Sequence, residues 1–478
     1  MIRTLLLAAF ALPISASVLA QEFSTTFIPY GKVPSDGQSQ MVKTVLPPMA
    51  TDEYAVAWEF TGATEKNFLY SALVLDRATN KEVNRGTIPM PHEDCTIIVE
   101  EVFAMGKDAC IIYRAHHKKD WHVTLYALRL SLPDLKPVGE LVKLAYHDLD
   151  KNLDPSYFVF NIEPSPDGSK WGVLMYTHIK KELDYTCWML DGQWAPLWQH
   201  NYKLSTEADV MRTRSVHVTD AGELFLTYAA YYKAQNNAGS WLAPEHRHPS
   251  FVGRVDASGS TMKPLDVGNG LRLTAPCLVP VKDGFLVGGV VGDPTAKSKG
   301  VQVGTMVIGD DLAVRSGPET VAVPGLKPEQ TREVNLYTNG TTTWLFLQSD
   351  ELLTCLVGEG TSIQKVGGKI PFIDYHSTLT FTRTGSVPAA AIFEQAKNFE
   401  AMSTGESPKV GLSYNLQPGI IHWDASGKAS VKPAITKQDG YRDISKVTPR
   451  IGMQWISEGL LVDQLTGKGQ GIVLIELK

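Results

Sequence analysis

DASGSTMKP at residues 256–264 and DASGKASVKP at residues 424–433 are nearly one phrase written twice, 168 residues apart (424 minus 256). Each copy follows a short apolar run (FVGRV before the first, IIHW before the second) and leads into a more polar one. Asp, Ser and Gly in this order favour a tight reversal, because the Asp side chain bonds backbone amides just ahead of it and Gly tolerates a left-handed backbone. The pair therefore reads as the same hairpin turn in two copies of one structural unit.

Outward from these turns the pattern continues. Almost no window carries the 3.6-residue apolar period of a helix. Runs rich in Val, Ile, Leu, Tyr, Phe and Trp recur instead, split by Gly, Asp, Asn and Pro. YAVAWEFT, ACIIYRAH, KWGVLMYTH, ELFLTYAAYY, GFLVGGVVG, TTWLFLQ, VPAAAIFEQ and GLLVDQL each follow a turn, at Asp52, Gly106, Gly168, Gly222, Gly284, Gly340, Gly385 and Gly459. The turns lie about 55 residues apart, the period of a bladed repeat. Within each unit a strand a leads through the turn to an apolar strand b, then to strand c, then through a second turn to a polar strand d. The last unit stops after its strand c, GIVLIELK, while EFSTTFIPYG at residues 22–31 is a strand d without a unit of its own. Pairing the two ends would close a ring. The sequence thus predicts an all-β, eight-bladed β-propeller over residues 21–478, with its last blade completed by the N-terminal strand. The alternative is a seven-bladed ring with one unit set aside as an insert.

The third unit contains IEPSPDGSKWGVLMY, in which Ser165, Pro166, Asp167 and Gly168 carry a resemblance to the S-P-D-G turn of WD40-like, TolB-type β-propeller repeats. The other units keep only the glycine and the flanking apolar strands, so the resemblance implies a fold and not an activity.

Residues 1–20 read as a secretory signal: Arg3, an apolar run, and Val18 with Ala20 before the expected cleavage point. No second stretch of about 18 apolar residues follows, which predicts an exported protein without membrane insertion. The formal charge of −6, or −7 once Arg3 is removed, argues against nucleic-acid binding. Five cysteines (Cys95, Cys110, Cys187, Cys277 and Cys355) are an odd number for an exported chain, and they read as small buried hydrophobes without disulfides. Since the chain ends on a strand, no appended sorting domain is expected.

Catalytic signatures do not stand out. The sequence has no H-E-x-x-H, G-x-S-x-G or Walker loop, and HDLDKNLDP lacks the Gly and Glu that an EF-hand requires. In a propeller the b-to-c and d-to-a loops share one face. The d-to-a loops carry His92, His147, Asp148, Asp374 and His376, candidates for a calcium or transition-metal site at the channel mouth, although no pair has a metal-specific spacing and a decorated polar loop explains them more simply. The b-to-c loops of units two to four carry His116, His117, Lys118, Lys119, His178, His246, Arg247 and His248, an arc that gains positive charge below about pH 6.5. Two b-to-c loops are long, residues 232–250 and 396–419, with Trp241, Phe399, Met402 and Tyr414 as apolar anchors.

The sequence therefore predicts a periplasmic or secreted module without catalysis or a resident cofactor, which docks another envelope protein through this face. A signal of this type fits a Gram-negative exporter such as a member of the Bacteroidota, where such a propeller would suit an outer-membrane assembly like the type IX secretion translocon. The alternative is a metal-dependent enzyme or carbohydrate-binding protein with its site at the channel mouth.

Overall fold

The repeated phrase forms the c-to-d turn of its unit. In the first copy the Asp256 carboxylate accepts the Ser258 amide at 2.8 Å and the Ser258 hydroxyl at 2.5 Å. In the second, Asp424 accepts the Ser426 amide at 2.8 Å, its hydroxyl at 2.6 Å and the Lys428 amide at 3.0 Å. These donors hold the Asp256 carboxyl below the usual carboxylate range. Gly427 completes the second turn at φ +81°, where a side chain would be strained. Asp76, Asp191 and Asp311 close other c-to-d turns in the same way, each accepting an amide two to four residues ahead. The device recurs even where the words of the repeat have been lost.

The computed structural model describes residues 23–31, 48–61, 69–90, 95–117, 119–148, 158–179, 182–205, 210–231, 247–265, 267–268, 271–292, 301–326, 331–349, 352–371, 379–381, 387–406, 416–434, 452–456, 459–466 and 469–477. Their strands form eight antiparallel sheets. Seven are built from strands consecutive in the chain, in the order a, b, c, d. Blade 1 is Met49–Ala50, Tyr54–Thr61, Leu69–Asp76 and Lys81–Thr87. Blade 2 is Thr96–Met105, Asp108–His117, His122–Ser131 and Val142–Asp148, with Lys136–Pro137 pairing beside its strand c. Blade 3 is Phe158–Pro164, Lys170–Ile179, Glu182–Asp191 and Pro196–Ser205. Blade 4 is Val210–Val218, Leu224–Tyr231, Arg247–Asp256 and Gly259–Pro264. Blade 5 is Arg272–Val281, Gly284–Gly292, Val301–Ile308 and Val314–Val323. Blade 6 is Thr331–Thr338, Thr342–Ser349, Leu352–Glu359 and Lys365–Pro371. Blade 7 is Leu379–Phe381, Ala389–Gln395, Leu416–Trp423 and Ala429–Pro433.

Strands b and c are apolar because both faces of each blade are covered by neighbouring blades, the condition that makes a strand hydrophobic throughout rather than alternating. Six shared cores link the seven blades in series. Val74 of blade 1 packs in one core with Ile111 and Tyr113 of blade 2. Ile112 and Leu125 share the next with Val173 and Trp188, and Leu174 and Cys187 the next with Leu226 and Tyr228. Phe225 meets Val287 and Met306, Val303 meets Leu345 and Leu356, and Trp344 and Phe346 meet Ile421 and Trp423. The Trp344 indole N–H donates across the last of these to the Asp424 carbonyl at 2.9 Å, tying blade 6 to the repeated turn of blade 7.

The remaining sheet is composite. The N-terminal strand Phe23–Gly31 pairs with Gly469–Leu477, from Phe23 opposite Leu477 to Gly31 opposite Gln470. That strand pairs with Gly459–Thr466, which pairs with Gly452–Ile456. The pairing of the two chain ends expected from the sequence is therefore present. The count of eight equal blades is corrected to a seven-bladed β-propeller. Shared cores of described side chains link seven blades, and the side chains of the terminal sheet, Leu460 apart, are outside the described residues. Its Gly452–Ile456 strand lies against Met49–Ala50 of blade 1, and Leu460 is its one described buried side chain.

A second correction concerns residues 396–419. Their first part is not a loop but a helix, Ala396–Thr404, with Phe399 and Met402 only 3% and 2% exposed in the core between blades 6 and 7. The Ser403 hydroxyl, 2.8 Å from the Val431 carbonyl, anchors the helix to strand d. Among the described residues no helix is long and apolar enough to cross a membrane.

Candidate functional site

Strands b and d of every blade run toward the face that carries the b-to-c loops. At that end of blade 2 three strands bring chemistry together. His117 ends strand b, His122 begins strand c, and Asp148 ends strand d. The register places His117 opposite His122 and Asp148 opposite His122, so all three stand in one row on one side of the sheet. The imidazoles of His117 and His122 stack, with centroids 4.2 Å apart and planes 20° from parallel. Tyr146, two residues before Asp148 and therefore on the same side, sits 5.0 Å from His122 and donates its hydroxyl to Asp148 at 2.5 Å. The Lys143 ammonium lies 4.4 Å from the centre of the Tyr146 ring, a cation–π contact. Trp121, in the turn joining His117 to His122, is held at φ +53°, an unusual conformation for a bulky residue.

Electrostatics follow from this crowding. Burial pushes the His117 pKa below the ordinary imidazole value, and His122 lowers it further while Asp120 opposes both. The hydrogen bond to Asp148 raises the Tyr146 phenol. Below the rim, Arg114 pairs with Glu100 of strand a at 2.6 Å and lies 5.4 Å over the Phe160 ring of blade 3. Burial raises the Glu100 carboxyl, and Arg114 opposes that rise.

The rim is also unusually apolar for a surface. Six large hydrophobic side chains are exposed among the described residues; Trp121 at 38% and Tyr146 at 44% stand at this rim, while Ile98 at 37% is on strand a, on the Arg114 side of the sheet away from the His117 row. The other three, Val83, Leu197 and Val314, stand singly on strands d of three different blades, where isolated exposure needs no explanation.

Of the residues singled out from the sequence, His117, Lys119 and Asp148 are brought to this rim. The Lys119 side chain is exposed and the Asp148 side chain is exposed. His116 is only 8% exposed, because alternation along the strand turns it away from the His117 row, so it is a core residue and not a surface cation. Phe399 and Met402 belong to the core between blades 6 and 7 and not to a binding surface. His147 pairs with Val123 in the backbone register, and its side chain is outside the described residues. His178, Arg247 and His248 are placed as backbone at strand ends only. His92, Lys118, Trp241, His246, Asp374, His376 and Tyr414 lie outside the described residues. Among those described, no group of three or more His, Cys, Asp or Glu is placed to hold a metal ion.

Sequence reading passed over Trp121, His122, Lys143 and Tyr146. Trp121 and His122 stand inside the very loop, HHKKDWH, that drew attention for its lysines. An exposed tryptophan between two strands was the available signal. The alignment of Asp148 with His122 carried no such signal, because it depends on a register shift between Lys143 and Ala145. A one-residue slip there exchanges the faces of the strand.

No protein-family profile matches the sequence, and no curated protein matches it either. Solved structures are similar at low identity. The WD40 domain of SCAP from fission yeast is 10% identical with a TM-score of 0.43, over 95% of this chain and 94% of that one. The β-propeller domain of the Trilobed protease from Pyrococcus furiosus is 9% identical with a TM-score of 0.38, over 83% of this chain and 96% of that one. The polysaccharide lyase Uly1 is 10% identical with a TM-score of 0.40, over 74% of this chain and 88% of that one.

Proposed function

We propose that this chain is an exported binding propeller without catalysis of its own, which docks another cell-envelope protein through the b-to-c face as a subunit of an outer-membrane assembly. The observation that carries the reading is the exposure of Trp121 and Tyr146 at one end of blade 2, beside the His117–His122 stack. Exposed aromatics flanked by groups that can donate and accept hydrogen bonds have the composition of an interface centre, where tryptophan and tyrosine dominate binding energy. Lys119, Asp120, Lys143 and Asp148 supply both signs of charge around them, a polar rim suited to a protein surface rather than to a polyanion. A stable complex needs about 800 Å² from this side, more than one hairpin end offers, so neighbouring loops of the same face share the contact.

The test is capture from native envelope extract by the purified full-length protein, with the bound protein quantified. Trp121→Ala and Tyr146→Ala should each lower affinity about tenfold or more, the usual cost of truncating a buried interface aromatic. Shortening the turn at residues 256–262, on the opposite face, should leave capture unchanged. Loss of capture in that control with retention in the two aromatic variants would reverse the assignment of the face.

A further inference from the structure

Docking through the exposed aromatics of blade 2 leaves unused the two imidazoles stacked behind them. A pair of histidines in van der Waals stacking is an uncommon way to end a hairpin. Neutral imidazoles stack without penalty, and a single proton is shared comfortably with a neighbouring ring. A second proton meets the first across 4.2 Å. The hairpin end that holds this pair also holds Trp121 in its left-handed conformation, so forces on the stack are forces on the tryptophan.

We propose that the stacked His117–His122 pair is an acid-operated latch, closed when at least one ring is neutral and forced open by double protonation, which displaces Trp121 and withdraws the docking surface. This regulation rests on the binding reading, since it is the presentation of Trp121 that it controls. The charged and titratable groups described around the pair belong to its own blade. Strand c supplies His122 itself, and the turn supplies Lys119 and Asp120. Strand d supplies Lys143, Tyr146 and Asp148, while on strand a Glu100 is committed to Arg114. Asp120 favours the charged form of His117. That help does not remove the repulsion between two imidazolium charges 4.2 Å apart. The depressed His117 pKa agrees with this, burial and the facing His122 both disfavouring its charged form. Sites of this kind respond between about pH 6.5 and 5, the interval in which histidine pairs fill with protons.

Hydrogen exchange of the full-length protein, read by mass spectrometry and corrected for the intrinsic pH dependence of exchange, tests the latch without needing the partner. Between about pH 7.5 and pH 5.0, peptides covering residues 115–123 should lose protection by about fivefold or more, while blade 5 strands keep theirs. His122→Phe keeps a ring on the stack but cannot take the second charge, and it should abolish the acid-induced loss. Where that variant fails to fold, His117→Gln serves the same purpose. An equal loss of protection in wild type and variant, or none in wild type, overturns the latch. If protection changes as expected but Trp121→Ala captures as well as wild type at neutral pH, the latch stands and the docking assignment fails. The two ideas are thereby separable.

Discussion

Replacing Gly419 by alanine asks whether Phe399 belongs to the core or to a partner. Gly419 lies in strand c of blade 7, and a Cβ built there would fall 2.1 Å from Cε1 and 2.6 Å from Cζ of Phe399. A phenyl ring wedged at 3% exposure between blades 6 and 7 has no free end to swing aside, so the methyl must expel the ring or push the helix Ala396–Thr404 off the blade. Losing the burial of one phenylalanine forfeits about 2–3 kcal/mol, and full truncation of such a ring costs about 3–5 kcal/mol. Gly419→Ala should therefore cost about 2–4 kcal/mol in urea unfolding followed by fluorescence. Phe399→Leu opens the space the methyl needs, at some cost of its own. In the double variant the two losses should fall short of their sum by about 1–3 kcal/mol, as for other residues in direct contact. Additive losses, or a Gly419→Ala effect below about 0.5 kcal/mol, would mean that Phe399 is free to move, and its place in the core would be refuted.

Three further outcomes follow from the same structure. Deleting residues 22–32 removes the strand that pairs with Gly469–Leu477, so the protein should melt well below the full chain; equal melting would contradict the closure. The His422 pKa is lowered to about 4, chiefly by burial and secondarily by Lys432, so its folded pKa lies below the unfolded value of about 6.5. Its stabilising share is complete above about pH 6.5 and lost as pH falls toward 4, on the order of 3 kcal/mol. His422→Asn should flatten that part of the urea stability profile, and an unchanged profile would remove His422 from the account. Native alkylation at mildly alkaline pH should label Cys95 alone, because burial pushes Cys187 and Cys277 up to about 12 and Cys110 and Cys355 higher still. Unfolding should then bring the total to five labelled thiols, and a shortfall of two labels would reveal a disulfide.

Much of the architecture was legible because turns and strands are local. The duplicated Asp-Ser-Gly phrase marks two c-to-d turns, and the apolar runs became strands b. Even the pairing of the distant chain ends could be read from an orphan strand at each. The blade count was less legible, since the packing of one sheet upon the next leaves no word in the sequence. Helix Ala396–Thr404 escaped notice because nine residues offer barely two turns of periodicity, and Phe399 and Met402 then looked like loop anchors. At the site, alternation alone separates the buried His116 from the rim residue His117, and the first residue of a strand cannot be fixed closely enough from sequence to tell them apart. Tyr146 and Asp148 join His122 only through the register of strand d. Such cross-strand neighbours become visible when the sheet is assembled.

The claim that blade 2 is a docking surface is tested most directly by a photoreactive amino acid placed at residue 121 of the full-length protein in its native cell. Irradiation at neutral pH should join it to one discrete envelope protein, and Tyr146→Ala in the same chain should greatly diminish that product. The same probe at Val83, an exposed hydrophobic on blade 1 strand d, should give no such product. No adduct from residue 121, or the same adducts from residues 121 and 83, would contradict the account.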